Sequence, residues 1–218
     1  MTVVSLHGHA CARFERDGRV LVVDPGGFSE PDATAGADAV LVTHEHADHV
    51  VPDRLTAELA ADPTLEVWAP QPVVEALVRA GADEARVHAL AVGDEVEAAG
   101  FAVRALGGRH ATIHPDLPVP VNLALLVDGR VLHPGDSLTQ PPADVPVELL
   151  LLPVSAPWLK LAEAVDYLRA VAPTTAVPIH DAILSDAGKA LVDRVSKQLA
   201  GDGTTYRRLA PGETLTLG

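Results

Sequence analysis

Short apolar runs alternate along the chain with longer segments in which apolar residues recur at helical spacing, and this alternation predicts strands and helices in turn. Uninterrupted apolar runs, such as those at 20–23 and 39–42, are typical of strands that a sheet buries on both faces. Helices are predicted at 53–61, 72–80, 159–172 and 187–199. Strands that alternate with helices in this way indicate an α/β fold.

The two halves of the chain have a similar pattern, and each contains one hairpin signal. Asp17-Gly18 joins two predicted strands within 12–23, and Asp128-Gly129 joins two more within 122–133. In both halves the second strand runs into Asp or His beside Pro and Gly. We interpret this repetition as a weak internal duplication.

Composition and charge narrow the class of protein. Hydrophobic residues make up 48% of the chain and aromatic residues only 3%, so the core must be built from Ala, Val and Leu. The net charge of −14 argues against a nucleic-acid partner, because phosphate contacts need a basic face. Cys11 is the single cysteine, which excludes an internal disulfide. The chain shows neither a membrane-spanning run nor a signal-peptide pattern, so we expect a cytoplasmic protein without a membrane partner.

The strongest chemical signal is the stretch from Thr43 to His49, in which three histidines and two carboxylates fall within six positions. It follows the apolar run 39–42 and precedes a predicted helix that Pro52 or Asp53 could open, so it is predicted to be a loop at the carboxyl end of a strand. Ligands bind at that edge of an open α/β sheet. Imidazole and carboxylate are good donors for zinc, iron or manganese. The alternative, a solvated polar turn, is disfavoured because further candidate ligands occur elsewhere.

The pattern His44-x-His46-x-Asp48-His49 resembles the signature of the metallo-β-lactamase fold superfamily. The later His, Asp and His of that signature match His110, Asp136 and His180, each at the end of an apolar run close to Gly or Pro. The resemblance spans roughly residues 3–217. It implies a single domain over 1–218 with the four-layer αβ/βα sandwich of that superfamily, built from two similar halves. The segments 6–11 and 23–25 resemble more narrowly a subgroup of small metal-dependent hydrolases that includes the ascorbate-phosphate lactonases.

The resemblance also implies a role for each matched residue. His44, His46 and His110 would hold a first metal ion; Asp48, His49 and His180 would hold a second; and Asp136 would bridge the two. Zinc is the first expectation for both divalent ions, with manganese or iron as alternatives. Such a pair of ions would activate water for attack on a small, anionic molecule, a phosphoester or a lactone. Asp48 would act catalytically by accepting the proton of that water.

Four further residues are candidates for substrate binding, each with an ordinary alternative. His7 and His9 follow the first predicted strand and could line the pocket or be structural. Arg109 could neutralise an anionic substrate or form a surface ion pair. Trp158 could form a wall of the pocket, although a core position is the more common place for Trp.

Asp24 could orient a ligand histidine from outside the metal site, or it could simply form a turn.

Two other functions stay open, and several relatives are excluded. The same motif occurs in mono-iron dioxygenases of this fold, and a non-catalytic metal-dependent binding protein is the third possibility. Lactam-hydrolysing relatives with a Cys ligand carry it where this chain has Asp136, and flavin-linked di-iron reductases carry Glu in place of His46. No stretch can hold the large domain inserted in the superfamily's nucleases. The sequence specifies neither the substrate beyond a small molecule nor an oligomeric state.

Overall fold

Two seven-stranded sheets form the centre of the computed structural model, which describes residues 1–218. The first sheet has the order β14-β1-β2-β3-β4-β5-β6 and the second has the order β13-β12-β11-β10-β9-β8-β7. The strands of the first sheet are β1 (Thr2–Leu6), β2 (Ala12–Arg16), β3 (Arg19–Val23), β4 (Ala39–Leu41), β5 (Glu66–Ala69), β6 (Val87–Ala89) and β14 (Thr214–Leu217). Those of the second sheet are β7 (Glu95–Ala98), β8 (Phe101–Gly107), β9 (Leu123–Val127), β10 (Val131–His133), β11 (Leu149–Pro153), β12 (Thr175–Ile179) and β13 (Thr205–Tyr206).

Three apolar clusters separate four layers. The largest lies between the sheets, where the rings of Phe14 and Phe101 meet edge to face at 6.2 Å. A second cluster packs the first sheet against α1 (Pro52–Ala61) and α2 (Gln71–Arg79), and a third packs the second sheet against α3 (Leu161–Val171) and α4 (Asp186–Leu199). Burial of these apolar side chains is the main stabilising contribution. The predicted four-layer αβ/βα sandwich is therefore confirmed.

Strand direction brings the ends of particular strands to one edge of each sheet. In the first sheet β3, β4, β5 and β6 are parallel, and in the second β10, β11, β12 and β13 are parallel. The antiparallel pairs β1–β2–β3 and β8–β9–β10 turn β1 and β8 to the same direction as those parallel strands. The backbone N–H of Leu123 donates to the carbonyl of Thr43 over 2.9 Å and ties the two sheets together. The loops after β1, β4, β8, β10 and β12 can consequently meet.

The predicted hairpins are present, and their backbone explains their sequence. Asp17 and Gly18 have φ of 51° and 76°, and Asp128 and Gly129 have φ of 51° and 65°. Positive φ at both central residues gives the turn whose twist matches paired strands, and Asp and Gly tolerate it best. The β7–β8 hairpin turns in the same way.

Some predicted bounds were wrong. The strand β6 was not predicted, because Val87–Ala89 is too short to show an alternating pattern and is held by parallel pairing with β5. The edge strand β13 covers only the two residues Thr205–Tyr206. Helix α3 begins at Leu161, two residues later than predicted, since a short bridge between Ala156 and Leu159 precedes it. None of the helices has both the length and the apolar composition that a bilayer crossing requires.

Candidate metal centre

The seven predicted metal ligands lie together at the edge where the strands end, in loops from both sheets. Asp136 stands at the centre of this arrangement. Its Oδ1 lies 3.1 Å from Nε2 of both His49 and His180, and its Oδ2 lies 3.3 Å from Nε2 of His110. The side chains form two groups whose donor atoms lie within 4.8 Å of one another: His44, His46, His110 and Asp136, and His9, Asp48, His49 and His180.

Hydrogen bonds set the tautomer of His44. The Thr43 hydroxyl donates to Oδ2 of Asp24 over 2.7 Å, so its oxygen accepts from Nδ1–H of His44 over 3.0 Å. Nε2 of His44 is therefore unprotonated, and its lone pair accepts from Nδ1–H of His46 over 3.1 Å. Burial lowers the pKa of both His44 and His46. Both rings are therefore prepared to donate nitrogen lone pairs to a cation.

Three more histidines are oriented in the same way. His49, His110 and His180 each use Nδ1–H as a hydrogen-bond donor, which leaves Nε2 unprotonated in the neutral ring and directed at Asp136. The acceptors are, in that order, Asp24 Oδ2 at 2.7 Å, the Ala111 carbonyl at 2.5 Å and the Ser155 carbonyl at 2.6 Å. Such outer contacts fix ring orientation in metal sites.

Asp24 is fully buried and contacts both His49 and Thr43, the residue whose hydroxyl accepts from His44. Its Oδ1 accepts the Thr43 N–H over 2.7 Å, and its Oδ2 accepts both the Thr43 hydroxyl and Nδ1–H of His49. Of the two roles open to Asp24, contact with a candidate ligand histidine is the one observed. Gly26, next along this loop, is required because a Cβ there would lie 1.9 Å from the carbonyl oxygen of Asp48.

The turn that carries Asp136 is fixed by its neighbours. Asn122 accepts the Asp136 N–H at 2.9 Å and donates to the Pro134 carbonyl at 2.9 Å. Gly135 has φ of 56°, and a Cβ there would lie 2.4 Å from Oδ1 of Asn122. The indole N–H of half-buried Trp158 donates to Oδ2 of Asp136 over 2.9 Å, so the predicted pocket Trp touches the centre itself.

The donor atoms of this edge fit a pair of cations. Among the buried side-chain atoms that lack a hydrogen-bond partner are Nε2 of His49, His110 and His180 and Oδ1 of Asp136. These atoms approach one another without the direction of hydrogen bonds, and an unsatisfied buried polar atom costs about 1–3 kcal/mol. Imidazole nitrogen and carboxylate oxygen are the donors that zinc and its neighbours prefer. Cations between the groups would satisfy all four atoms.

The charges of the protein without metal point to the same conclusion. Burial lowers the pKa of His49, but Asp24 and Asp136 outweigh it and raise that pKa to about 10. Burial likewise opposes charge on His180, but Asp136 and Asp48 raise its pKa to about 9. Burial raises the pKa of Asp48 and Asp136, yet the neighbouring imidazoles outweigh this and hold both pKa values well below their usual range. Protons thus occupy the place of positive charge, and metal binding would release them.

The remaining candidates divide between the centre and its surroundings. His9 joins the group that contains Asp48. His7 belongs to neither group, because its ring contacts the Ser5 hydroxyl and the Glu30 carboxylate, each at 3.0 Å. Arg109 is exposed, so its contact with substrate stays a prediction.

The structure also supplies residues to which sequence reasoning gave no role. Thr43 lies in the motif stretch but shows its function only through its hydroxyl bonds to Asp24 and His44. Asn122 gave one usable signal, a polar residue directly before a strand that is wholly apolar. The Ser155 carbonyl could not be recognised, because any residue offers one.

Comparison with known proteins places the chain among similar sequences. The family model described as a beta-lactamase superfamily domain matches residues 3–180. Protein Rv0786c of Mycobacterium tuberculosis is 44% identical over 184 residues, which are 82% of this chain and 83% of that protein. A UPF0173 protein of Pyrococcus furiosus is 32% identical over 83% of each chain. A protein of Carboxydothermus hydrogenoformans named UPF0173 metal-dependent hydrolase is 24% identical over 98% of this chain and 99% of its own.

Solved structures share the fold. Igni18, a metallo hydrolase from the archaeon Ignicoccus hospitalis, superimposes with a TM-score of 0.74. The match covers 100% of this chain and 98% of that one at 20% sequence identity. At this identity the likeness concerns the fold alone, and the fold agrees with the four layers described above.

Proposed function

The chain belongs to the beta-lactamase superfamily, and on that premise we propose that it is a metal-dependent hydrolase whose two divalent ions act on a small anionic phosphoester or lactone. A relative that aligns with nearly the whole chain is named a metal-dependent hydrolase. The observation that carries the proposal is the set of four buried atoms without a hydrogen-bond partner, namely Oδ1 of Asp136 and the Nε2 atoms of three histidines that surround it. A solvated polar turn would not leave them facing one another.

We assign the ligands by the atoms that face each other. His44, His46 and His110 would hold one ion and Asp48, His49 and His180 the other, with one oxygen of Asp136 directed to each group. When bound, two such ions supply a nucleophile at neutral pH and a Lewis acid for the oxygen of the scissile bond. Zinc is the first expectation, because each ion would be held by at least two imidazole nitrogens besides carboxylate oxygen.

The two carboxylates of the centre differ in solvent exposure, and this difference suggests a role for each. The side chain of Asp48 is 27% exposed, whereas that of Asp136 is 4% exposed. Asp136 is therefore suited to hold the ions. Asp48 faces the side from which substrate must arrive and is suited to accept a proton from the attacking water.

Three features support a small anionic substrate. The net charge of −14 repels long polyanions, while a small anion can still reach a cationic centre. Arg109 lies in the loop between β8 and His110 and is exposed, so it can reach a negative group near the centre. The core between the sheets joins both halves, and we treat 1–218 as one domain in which loops alone bind substrate.

The test joins metal analysis to a substrate screen. Protein purified without chelator should contain about two transition-metal ions per chain and should hydrolyse some members of a panel of phosphodiesters, phosphate monoesters and lactones. A reproducible value of one iron per chain, unchanged by added zinc or manganese, would instead support the dioxygenase. Cleavage of oligonucleotides as fast as the best small substrate would contradict the small-molecule proposal.

A further inference from the structure

His9 connects three loops of the candidate centre. Its carbonyl accepts the backbone N–H of His180 over 2.9 Å, and its ring lies 4.0 Å from the ring of His180, centroid to centroid. Its Nε2 lies 3.2 Å from Oδ2 of Asp48, and its Nδ1 accepts the N–H of Ala182 over 3.3 Å. The side chain of His9 is 1% exposed, so all these contacts are sheltered from water.

These contacts decide between two roles for His9. By proximity alone, it could be a fourth ligand beside Asp48, His49 and His180. A metal-bound Nε2 would require the proton of the neutral ring to be on Nδ1, where it would point at the N–H of Ala182. Two donors would then face each other. The observed arrangement instead requires an unprotonated Nδ1 and an Nε2–H that donates to Asp48.

We propose that His9 is a positioning residue, which holds the Asp48 carboxylate in place for the second metal ion and does not ligate that ion itself. The proposal rests on the dinuclear function proposed above. Each carboxylate oxygen has two lone pairs, so Oδ2 of Asp48 can accept from His9 and still face a cation. The backbone N–H of His180, which donates to the carbonyl of His9, fixes the position of His180 in the same group, and this bond does not involve the His9 side chain.

An isosteric pair of variants separates the hydrogen bond from packing. His9→Gln keeps a side-chain N–H donor at about the distance of Nε2 from the backbone, and His9→Met has the same length without a donor. His9→Phe keeps a flat ring without a donor and serves if the Met variant fails to fold. His88→Gln is the matched control, because His88 stacks on Trp68 at 4.8 Å on β5, outside both groups.

The measurement is competition between the protein and a chromophoric zinc chelator, which reports the affinity of each metal equivalent without a substrate. We expect His9→Met to weaken the second equivalent about 10–100-fold and to leave the first unchanged, as loss of an outer contact does. His9→Gln should stay close to wild type, as should His88→Gln. The Gln rescue is the result that packing alone would not produce.

Two results would overturn the proposal. Equal loss of the second equivalent in His9→Gln and His9→Met would make His9 a ligand, and wild-type affinity in His9→Met and His9→Phe would reduce it to a packing residue. Failure of the dinuclear function would look different, because wild-type protein itself would then bind fewer than two zinc ions.

Discussion

Replacing Asp24 by Asn tests whether the buried contacts behind the centre set its metal affinity. The carboxylate accepts three hydrogen bonds of 2.7 Å, two from Thr43 and one from His49, and it is fully buried. Asn has the same shape but only one acceptor oxygen. Its NH₂ group must face either the Thr43 N–H or the two donors on the other side, and one set of bonds is lost.

The magnitude follows from the bonds that disappear. A hydrogen bond to a charged group contributes about 1.5–3 kcal/mol, so Asp24→Asn should lower the free energy of unfolding of the metal-free protein by at least that amount. Loss of an outer contact weakens metal binding by about 10–100-fold, which corresponds to about 1.4–2.7 kcal/mol. Because Asp24 raises the pKa of His49, this pKa should be lower in the variant than in the wild type.

The assay compares zinc affinity by chelator competition and stability by urea unfolding in wild type and variant. Asp38→Asn is a matched control, since Asp38 also accepts a backbone N–H, from Val20 at 2.8 Å, and pairs with Arg19 at the opposite end of β3. It should lose stability without losing zinc affinity. Wild-type zinc affinity in Asp24→Asn would refute the reasoning, because the orientation of His49 would then not depend on Asp24.

Four other predictions follow from the same geometry. Asp136→Ala should abolish binding of the metal pair and turnover even at saturating zinc, unlike Asp24→Asn, and unchanged metal content and turnover would remove Asp136 as the bridge. The metal-free protein should lose stability as pH rises from about 6.5 through 9 to 10, because folding raises the pKa of His49 and His180 and so favours their protonated forms; melting at pH 6 and pH 9 in chelator measures this. Trp158→Phe removes the indole bond to Asp136 and should weaken zinc binding while abolishing most of the fluorescence change on zinc addition. Arg109→Ala should raise KM for anionic but not for neutral substrates, and a KM for anionic substrates that the substitution leaves unchanged would exclude Arg109 from substrate binding.

The most predictable feature of this protein was the placement of the candidate ligands directly after the carboxyl ends of strands. A motif that follows an apolar run lies at the carboxyl end of a buried strand, and parallel strands bring such ends together. The positions of His44, His110 and His180 in the fold therefore followed from where apolar runs stop. The resemblance to a superfamily supplied which of these residues act as one set, a grouping that periodicity alone could not give. Val87–Ala89 shows the limit, since pairing with β5 and not its own pattern makes it a strand.

Hydrogen-bond direction lies beyond sequence reasoning and decides the chemistry of this centre. The sequence left His9 as a substrate-binding or a structural residue and offered nothing that linked it to Asp48, which lies 39 positions away in the chain. The link depends on one backbone N–H, that of Ala182, which sits two residues after His180 and fixes which nitrogen of His9 carries the proton. Any residue other than Pro at position 182 would supply that N–H, so no residue type marks it. A ring with two nitrogens can ligate or orient, and the role is decided by the group that faces the second nitrogen.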